Sequence, residues 1–515
     1  MTDNESTTGD GTNAAPGDAE PLAAPARLDQ VPDPAQRQDL PLPESDPGPR
    51  RSPKRRGRWV VAGIAIGAAV AMAVTGVVVL VTRDGGPDHP STWDPTVAEL
   101  VPFVEDEKGA SFEHPVSVVV LDEAQFKGRV SVDDELTDED REEIDQDEAM
   151  LRALGLHGGE GSLVDQVDTY MTEGTAAFYD PDDNEIVVPE TSPGNVAAQA
   201  TLVHELTHAL QDQLGQLDDA DTSDAQAGLE ALIEGEAEHV QTAWIEELTD
   251  AERDRLAEDE GDTADEVSGE LEDVNPALIA LFTLPYTVGE TMVSMLDDAN
   301  RLDDAFDDPP GSTADLLDPL RWLDPVEAVE VEAPTLGEGE EQQGDDAVLG
   351  AHFLYLMLAS VLEPSDALDA VSGWGGDQMR FYRTADGADC LRASIVGVTA
   401  EDTSRIGDAL ESWVESRPDG AASTSESGGL AHLDACDPGT TPETLTEEMA
   451  HVPAFRAELV SLFVESGANL EAATCAATDV LGRLPMDVLM AAESSSNDED
   501  RIREAVEAAV RSCTG

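Results

Sequence analysis

Basic residues are scarce in this chain of 515 amino acids. Twenty-eight lysines and arginines stand against 111 aspartates and glutamates, and only three of the bases are lysines. The formal charge of −83 excludes a nucleic-acid partner, because such a surface repels a phosphate backbone. It suits salty surroundings, where screening weakens the chain's self-repulsion. Aromatic residues make up only 4%, so the core has to rest on Leu, Val, Ala and Ile. Cysteine is limited to Cys390, Cys436, Cys475 and Cys513, none close enough in sequence to another to make a thiolate zinc site. No internal repeat of solenoid period stands out, which excludes a stacked-repeat architecture. Long apolar runs are missing too, with one exception.

That exception is Trp59–Thr82, 24 residues without a charge, long enough to cross a bilayer core with some tilt. Lys54, Arg55, Arg56 and Arg58 precede it, while Arg83, Asp84 and Asp88 follow. By the positive-inside rule the N-terminus stays in the cytoplasm and everything after Arg83 lies outside. A cleavable signal peptide fits less well, given the 58 residues before the run and its length. The expectation is a single-pass protein of the cell membrane, held in the lipid bilayer by one permanent helix. All four cysteines then fall on the outer side, where thiols are usually paired. Of the three connectivities, nearest-neighbour pairing gives Cys390–Cys436 and Cys475–Cys513.

The chemistry is concentrated in Thr201–Gln213. His204-Glu205-Leu206-Thr207-His208 lies there within an apolar pattern of helical period, Val203, Leu206, Leu210 and Leu214. On an α-helix, residues four apart lie about 40° apart on one face, so both imidazoles reach one small ion. Imidazole suits Zn²⁺, and Glu205 projects beside that ion, placed to act on its water. The competing reading is a surface helix that happens to carry two histidines. Downstream, Ser223-Asp-Ala-Gln226 is a capping-box pattern opening a helix through Val240 towards Trp244. Leu229, Leu232, Ile233, Ala237 and Val240 form its apolar stripe, with Glu234 and Glu238 one turn apart near the edge. An antiparallel return across Gly215–Thr222 brings Glu234 to the histidines. His204, His208 and Glu234 are therefore the expected zinc ligands, with water as the fourth. Glu238 is placed to accept the outer N–H of a ligating histidine. Glu230 and Glu236 are rival carboxylates on the same acid-rich helix.

His204-Glu-Leu-Thr-His208 followed by Glu234-Gly-Glu-Ala-Glu238 resembles the gluzincin class of zinc metallopeptidases, the thermolysin-like group. The resemblance covers roughly residues 176–377. It implies zinc on two histidines and a later glutamate, with Glu205 as general base. It departs where Glu238 stands at a position that thermolysin-like enzymes often fill with Asp, and no clear equivalent of their transition-state-stabilising histidine or tyrosine stands out. Tyr286, in Leu281–Met295, is a weak candidate for stabilising an oxyanion, and a core tyrosine is the alternative.

The expected fold is α+β and mainly helical, with a small sheet beside the active-site helix and a separate C-terminal helical module. Residues 1–57 are a low-complexity tail, expected to be disordered, and 58–83 the membrane helix. Residues 84–110 read as a linker, 111–333 as the peptidase core, 334–440 as its helical continuation and 441–515 as the module. Val116–Leu121 is a strand candidate, and Gly174–Pro189 carries a hairpin signature. The acidic run 133–148 reads as a loop, Thr249–Asp273 as an acidic insertion, Pro334–Asp346 as a linker and Arg417–Gly429 as a mobile loop. The function expected is extracytoplasmic hydrolysis of a peptide or protein substrate. The alternative is a non-catalytic binding or sensor ectodomain with a structural zinc closed by His239 or His157.

Overall fold

The structure, a computed structural model, describes residues 89–513 apart from 133–135, 159–160, 191–194, 218–219, 221, 324, 440–444 and 490–495. The predicted tail and membrane span lie outside the described residues. The N-terminal part runs α1 (Val101–Lys108), β1 (Ser117–Leu121), α2 (Glu123–Val130), α3 (Asp138–Leu154), α4 (Leu163–Gly174), β2 (Phe178–Asp180) and β3 (Glu185–Pro189). Then come α5 (Val196–Gln213), α6 (Ser223–Glu247), α7 (Asp250–Glu270), α8 (Pro276–Asp298), α9 (Leu302–Asp307) and α10 (Thr313–Leu317).

The predicted hairpin is β2–β3, antiparallel with Tyr179 opposite Ile186. Its turn is held by the Asp180 carboxylate, which accepts from the N–H groups of Asp182 and Asp183, and by Asn184 at φ 53°. β1 adds parallel to β3, giving the order β1-β3-β2. α5 packs Leu202, Val203, Leu206 and Leu210 into one apolar cluster with Ile186 and Val188 of this sheet. Val97, Leu100, Val101 and Val104 complete that cluster, so the C-terminal half of the expected 84–110 linker belongs to the fold.

Two acidic stretches expected to be irregular are helices, because their ends are capped. Thr137 and Asp140 form a reciprocal capping box at the start of α3, and Thr249 and Glu252 do the same for α7. Carboxylates in a first turn also favour the helix N-terminus electrostatically. α6 starts one residue earlier than the sequence suggested. Thr222, not Ser223, is its cap and accepts from the Ala225 N–H at 3.2 Å.

Downstream run β4 (Glu341–Ala347), α11 (Gly350–Ala359), α12 (Pro364–Ser372), β5 (Trp374–Arg383), β6 (Asp389–Gly397), α13 (Ala400–Ser416), β7 (Ala422–Ser427) and β8 (Leu430–Cys436). The strands form a five-stranded sheet, β4-β5-β6-β8-β7. Residues 334–440 are therefore not a helical continuation but an α+β layer, and the expected linker and mobile loop supply its two edge strands. Asp377, within β5, caps α11 by accepting from the N–H groups of Leu349 and Gly350. Both predicted disulfides are present, Cys390–Cys436 across the facing pair of β6 and β8, and Cys475–Cys513 in the last segment.

That segment is the expected helical module: α14 (Glu447–Ala450), α15 (Val452–Glu465), α16 (Leu470–Leu481), α17 (Met486–Leu489) and α18 (Ser496–Cys513). It is not separate in packing. Val460, Ala477 and Val480 belong to the same apolar cluster as Leu232 of α6 and Val288 of α8. Among the described residues α8 is the helix long and apolar enough to cross a membrane, and half of that stretch is buried inside the fold. It crosses α6 at backbone contact. A Cβ on Gly235 would sit 2.3 Å from the carbonyl carbon and oxygen of Gly289, and one on Gly289 would sit 2.3 Å from the Ala231 oxygen.

Candidate metal centre

α5 and α6 meet along the face that carries the predicted ligands. Asn195 caps α5, accepting from the Ala198 N–H at 2.7 Å, and the apolar pattern then turns both histidines towards α6. Moving back along α5, Gln211 meets Ile233 and Glu236, His208 meets Glu234, and His204 meets Glu234 and Glu238. That order makes the two helices antiparallel, as the sequence required. The Gly235–Gly289 contact lets α6 lie deep against α8 at this level, which explains why glycine follows Glu234.

Glu234 Oε2 lies 3.3 Å from His204 Nε2 and 3.3 Å from His208 Nε2. One atom from each of the three residues falls within a sphere of mutual distances under 4.8 Å, and all three residues are buried. The two imidazole rings stand edge-to-face, 4.6 Å between centroids and 79° apart. His204 Nε2, His208 Nε2, Glu234 Oε2 and both Glu205 oxygens are buried and make no hydrogen bond of acceptable geometry. Folded proteins rarely leave buried polar atoms unsatisfied, and here the unsatisfied atoms are convergent acceptors. A cation held among them would satisfy all three residues. Ligand atoms about 2.0–2.1 Å from one ion at tetrahedral angles lie about 3.3–3.4 Å apart, so the spacing fits Zn²⁺.

Electrostatics agree with that geometry. Burial raises the Glu234 carboxyl, but the positive charge of His208, with His204 adding to it, outweighs burial and brings it down to about 2. Burial lowers His208, and Glu234 more than reverses this, pushing it up to about 9; a proton occupies the place a cation would take. For His204 burial prevails and the pKa is lowered. Glu205, with no exposed surface, is raised to about 7 by burial, opposed by His208 and helped by Glu234.

Glu238 is beside His204 as expected, but its Oε1 is 3.8 Å from Nδ1, beyond hydrogen-bonding distance. Burial, then Glu290, Glu234 and Glu260, raise its carboxyl well above the ordinary range. Tyr286 is buried on α8; burial, then Glu234, Tyr170, Glu230 and Glu205, keep its hydroxyl protonated. It is not among the residues lining the cavity described below. Glu230, His157 and His239 do not join the cluster; His239 faces Asp297 at 4.0 Å. The rival Glu236 is instead taken by Lys108 and Gln211, neither singled out in the sequence. Two signals were available. Lys108 is one of only three lysines, and Gln211 sits three residues after His208, on the same helical face.

A cavity of about 930 Å³ opens onto His204. Val118 and Val120 of β1, Val188 of β3 and the N-terminal half of α5 form one side, and Glu260 and Glu266 of α7 the other. β1 is an edge strand, and Val120 is 47% exposed. A second cavity of about 530 Å³ lies between α3 and β5–β6; its arginines, Arg152 and Arg383, are already paired with Glu148, Asp437 and Asp389.

Residues 339–438 match a family model described as a domain of unknown function, DUF8575. The match spans the five-stranded sheet and α11–α13, and contains none of the clustered histidines and glutamates. No curated protein and no solved structure shows significant similarity to the chain.

Proposed function

We propose that this chain is a membrane-anchored zinc metallopeptidase of the gluzincin type, acting outside the cytoplasm on peptide or protein substrates. The observation that carries the proposal is the set of buried, unsatisfied acceptor atoms of His204, His208 and Glu234, with Glu205 beside them and a cavity reaching His204. His204 Nε2, His208 Nε2 and Glu234 Oε2 would hold the ion. Zinc bound there supplies Lewis acidity to a peptide carbonyl and to water.

Glu205 takes a proton from the attacking water and returns it to the leaving amine nitrogen as the C–N bond breaks. The exposed edge of β1 offers unpaired backbone groups on which an extended peptide lies as an added strand. The apolar run Trp59–Thr82 with its basic flank, and two disulfides, support an anchor with the catalytic part outside.

The test is cleavage of an unstructured protein by the full-length chain, with and without chelator, for wild type and Glu205→Gln. Chelator-sensitive cleavage is expected, with the variant keeping its zinc and losing about 10²–10⁴-fold in rate. A zinc-loaded Glu205→Gln chain that cleaves as fast as wild type contradicts the mechanism.

A further inference from the structure

We propose that Gln211 is a positioning residue that holds His208 in its metal-binding tautomer, and that Lys108 and Glu236 hold Gln211 in turn. The role rests on the zinc reading above and adds to it the device that orients one ligand. The argument is one of donors and acceptors. Lys108 Nζ only donates; it meets Glu236 Oε2 and, at 3.1 Å, Gln216 Oε1. The Glu236 carboxylate only accepts, and takes a bond from Gln211 Nε2 at 2.9 Å. The same nitrogen donates to the Ile233 carbonyl, also at 2.9 Å. One end of the Gln211 amide is therefore surrounded by acceptors and must be the NH₂ end. Its oxygen is left facing His208 Nδ1 at 2.9 Å. An acceptor there requires the proton on Nδ1, so neutral His208 carries its lone pair on Nε2, the atom 3.3 Å from Glu234 Oε2.

The same amide ties the two ligand-bearing helices together at the ligands. Gln211 is on α5 with His208, while Ile233 and Glu236 flank Glu234 on α6. None of the chain is solvated: Gln211 has no exposed surface, and the Lys108 and Glu236 side chains are 3% and 7% exposed. Lys108 also keeps Glu236 from competing for the ion. His204 has no such arrangement, since its Nδ1 makes no hydrogen bond and Glu238 stays at 3.8 Å. Helix α1, read from the sequence as linker, thus reaches the metal centre through one lysine.

The experiment measures zinc affinity of the full-length chain by competition with a chromogenic chelator, and records the visible spectrum of the cobalt-substituted form. Gln211→Met keeps the side chain's length but removes donor and acceptor, and is expected to weaken zinc binding by about 10–100-fold and alter the cobalt spectrum. Gln211→Glu alone faces Glu236 with a second carboxylate and is expected to bind zinc poorly. A role in packing alone predicts lower thermal stability for Gln211→Met with zinc affinity and cobalt spectrum unchanged, and that result overturns the proposal. Should Gln211→Met fail to fold, Gln211→Asn decides: its amide, one carbon shorter, falls short of His208 Nδ1, and wild-type zinc affinity with an unchanged cobalt spectrum overturns the proposal equally. A wild-type chain that takes up no zinc refutes the metal reading itself, and this role with it.

Discussion

Gly235→Ala puts one methyl group into the crossing of α6 and α8. The new Cβ would lie 2.3 Å from the carbonyl carbon and oxygen of Gly289 and 2.8 Å from its Cα, about 1 Å short of an ordinary contact. These are backbone atoms, so no side chain can swing aside, and the helices must part. Two opposed effects set the outcome. Alanine gains about 1 kcal/mol over glycine in a helix interior. Overpacking costs about 1–3 kcal/mol, and more where backbone has to move. The net expectation is a loss of up to about 2 kcal/mol in stability. The larger effect falls on the metal, because Glu234 is the adjacent residue and moves with α6. A displacement of about 1 Å exceeds the roughly 0.2 Å that metal–ligand distances tolerate. Thermal unfolding with and without zinc, together with chelator competition, measures both effects. The metal-free variant should melt lower than wild type and gain less stabilisation from zinc. A Gly235→Ala chain stabilised by about 1 kcal/mol with zinc affinity intact would mean that helix propensity alone governs this position, and the close crossing would be refuted.

Two further expectations concern the frame around the site. Asp224, buried where α6 meets α10, has its pKa raised to about 6 by burial, with Asp377 and Asp315 adding and Thr313 opposing. The native state therefore holds a proton the unfolded chain has released. The stability this contributes is complete below the unfolded value of 3.8 and is lost as pH rises through about 6. Asp224→Asn should gain on wild type between pH 4 and pH 7 by at most about 3 kcal/mol, and parallel stability curves would refute this. The Cys475–Cys513 bond closes a separation of 38 residues, worth about 4 kcal/mol by chain entropy. The double Cys→Ser variant should lose hydrogen-exchange protection in α18 while its zinc affinity stays at the wild-type level; weakened zinc binding would contradict that separation of roles.

The parts of the fold visible in the sequence are those whose pattern is local. The apolar spacing of α5, the turn chemistry of Asp180–Asn184 and the one-turn offset of Glu234 and Glu238 all follow from helix and hairpin periods. The missed strands β4 and β7 are edges: Glu341–Ala347 and Ala422–Ser427 are largely exposed, polar and without alternation, and exist through pairing with β5 and β8. Composition misled at α3 and α7, where charge suggests disorder but caps and neighbours make helices. Leu256 is the one apolar side chain of α7 that is fully buried, too little for periodicity to register. At the site the clustering of His204, His208 and Glu234 was legible because His-x-x-x-His lies on one turn. The Lys108–Glu236–Gln211 chain was not, since Lys108 and Glu236 are 128 residues apart and join only in the tertiary fold.

Zinc bound per purified full-length chain is the most direct measure of the central claim. About one zinc per wild-type chain is expected, because one cluster supplies three ligands to one ion. His208→Ala and Glu234→Gln chains that fold as wild type should hold little. Wild-type protein with no zinc, or variants retaining the full complement, would contradict the account.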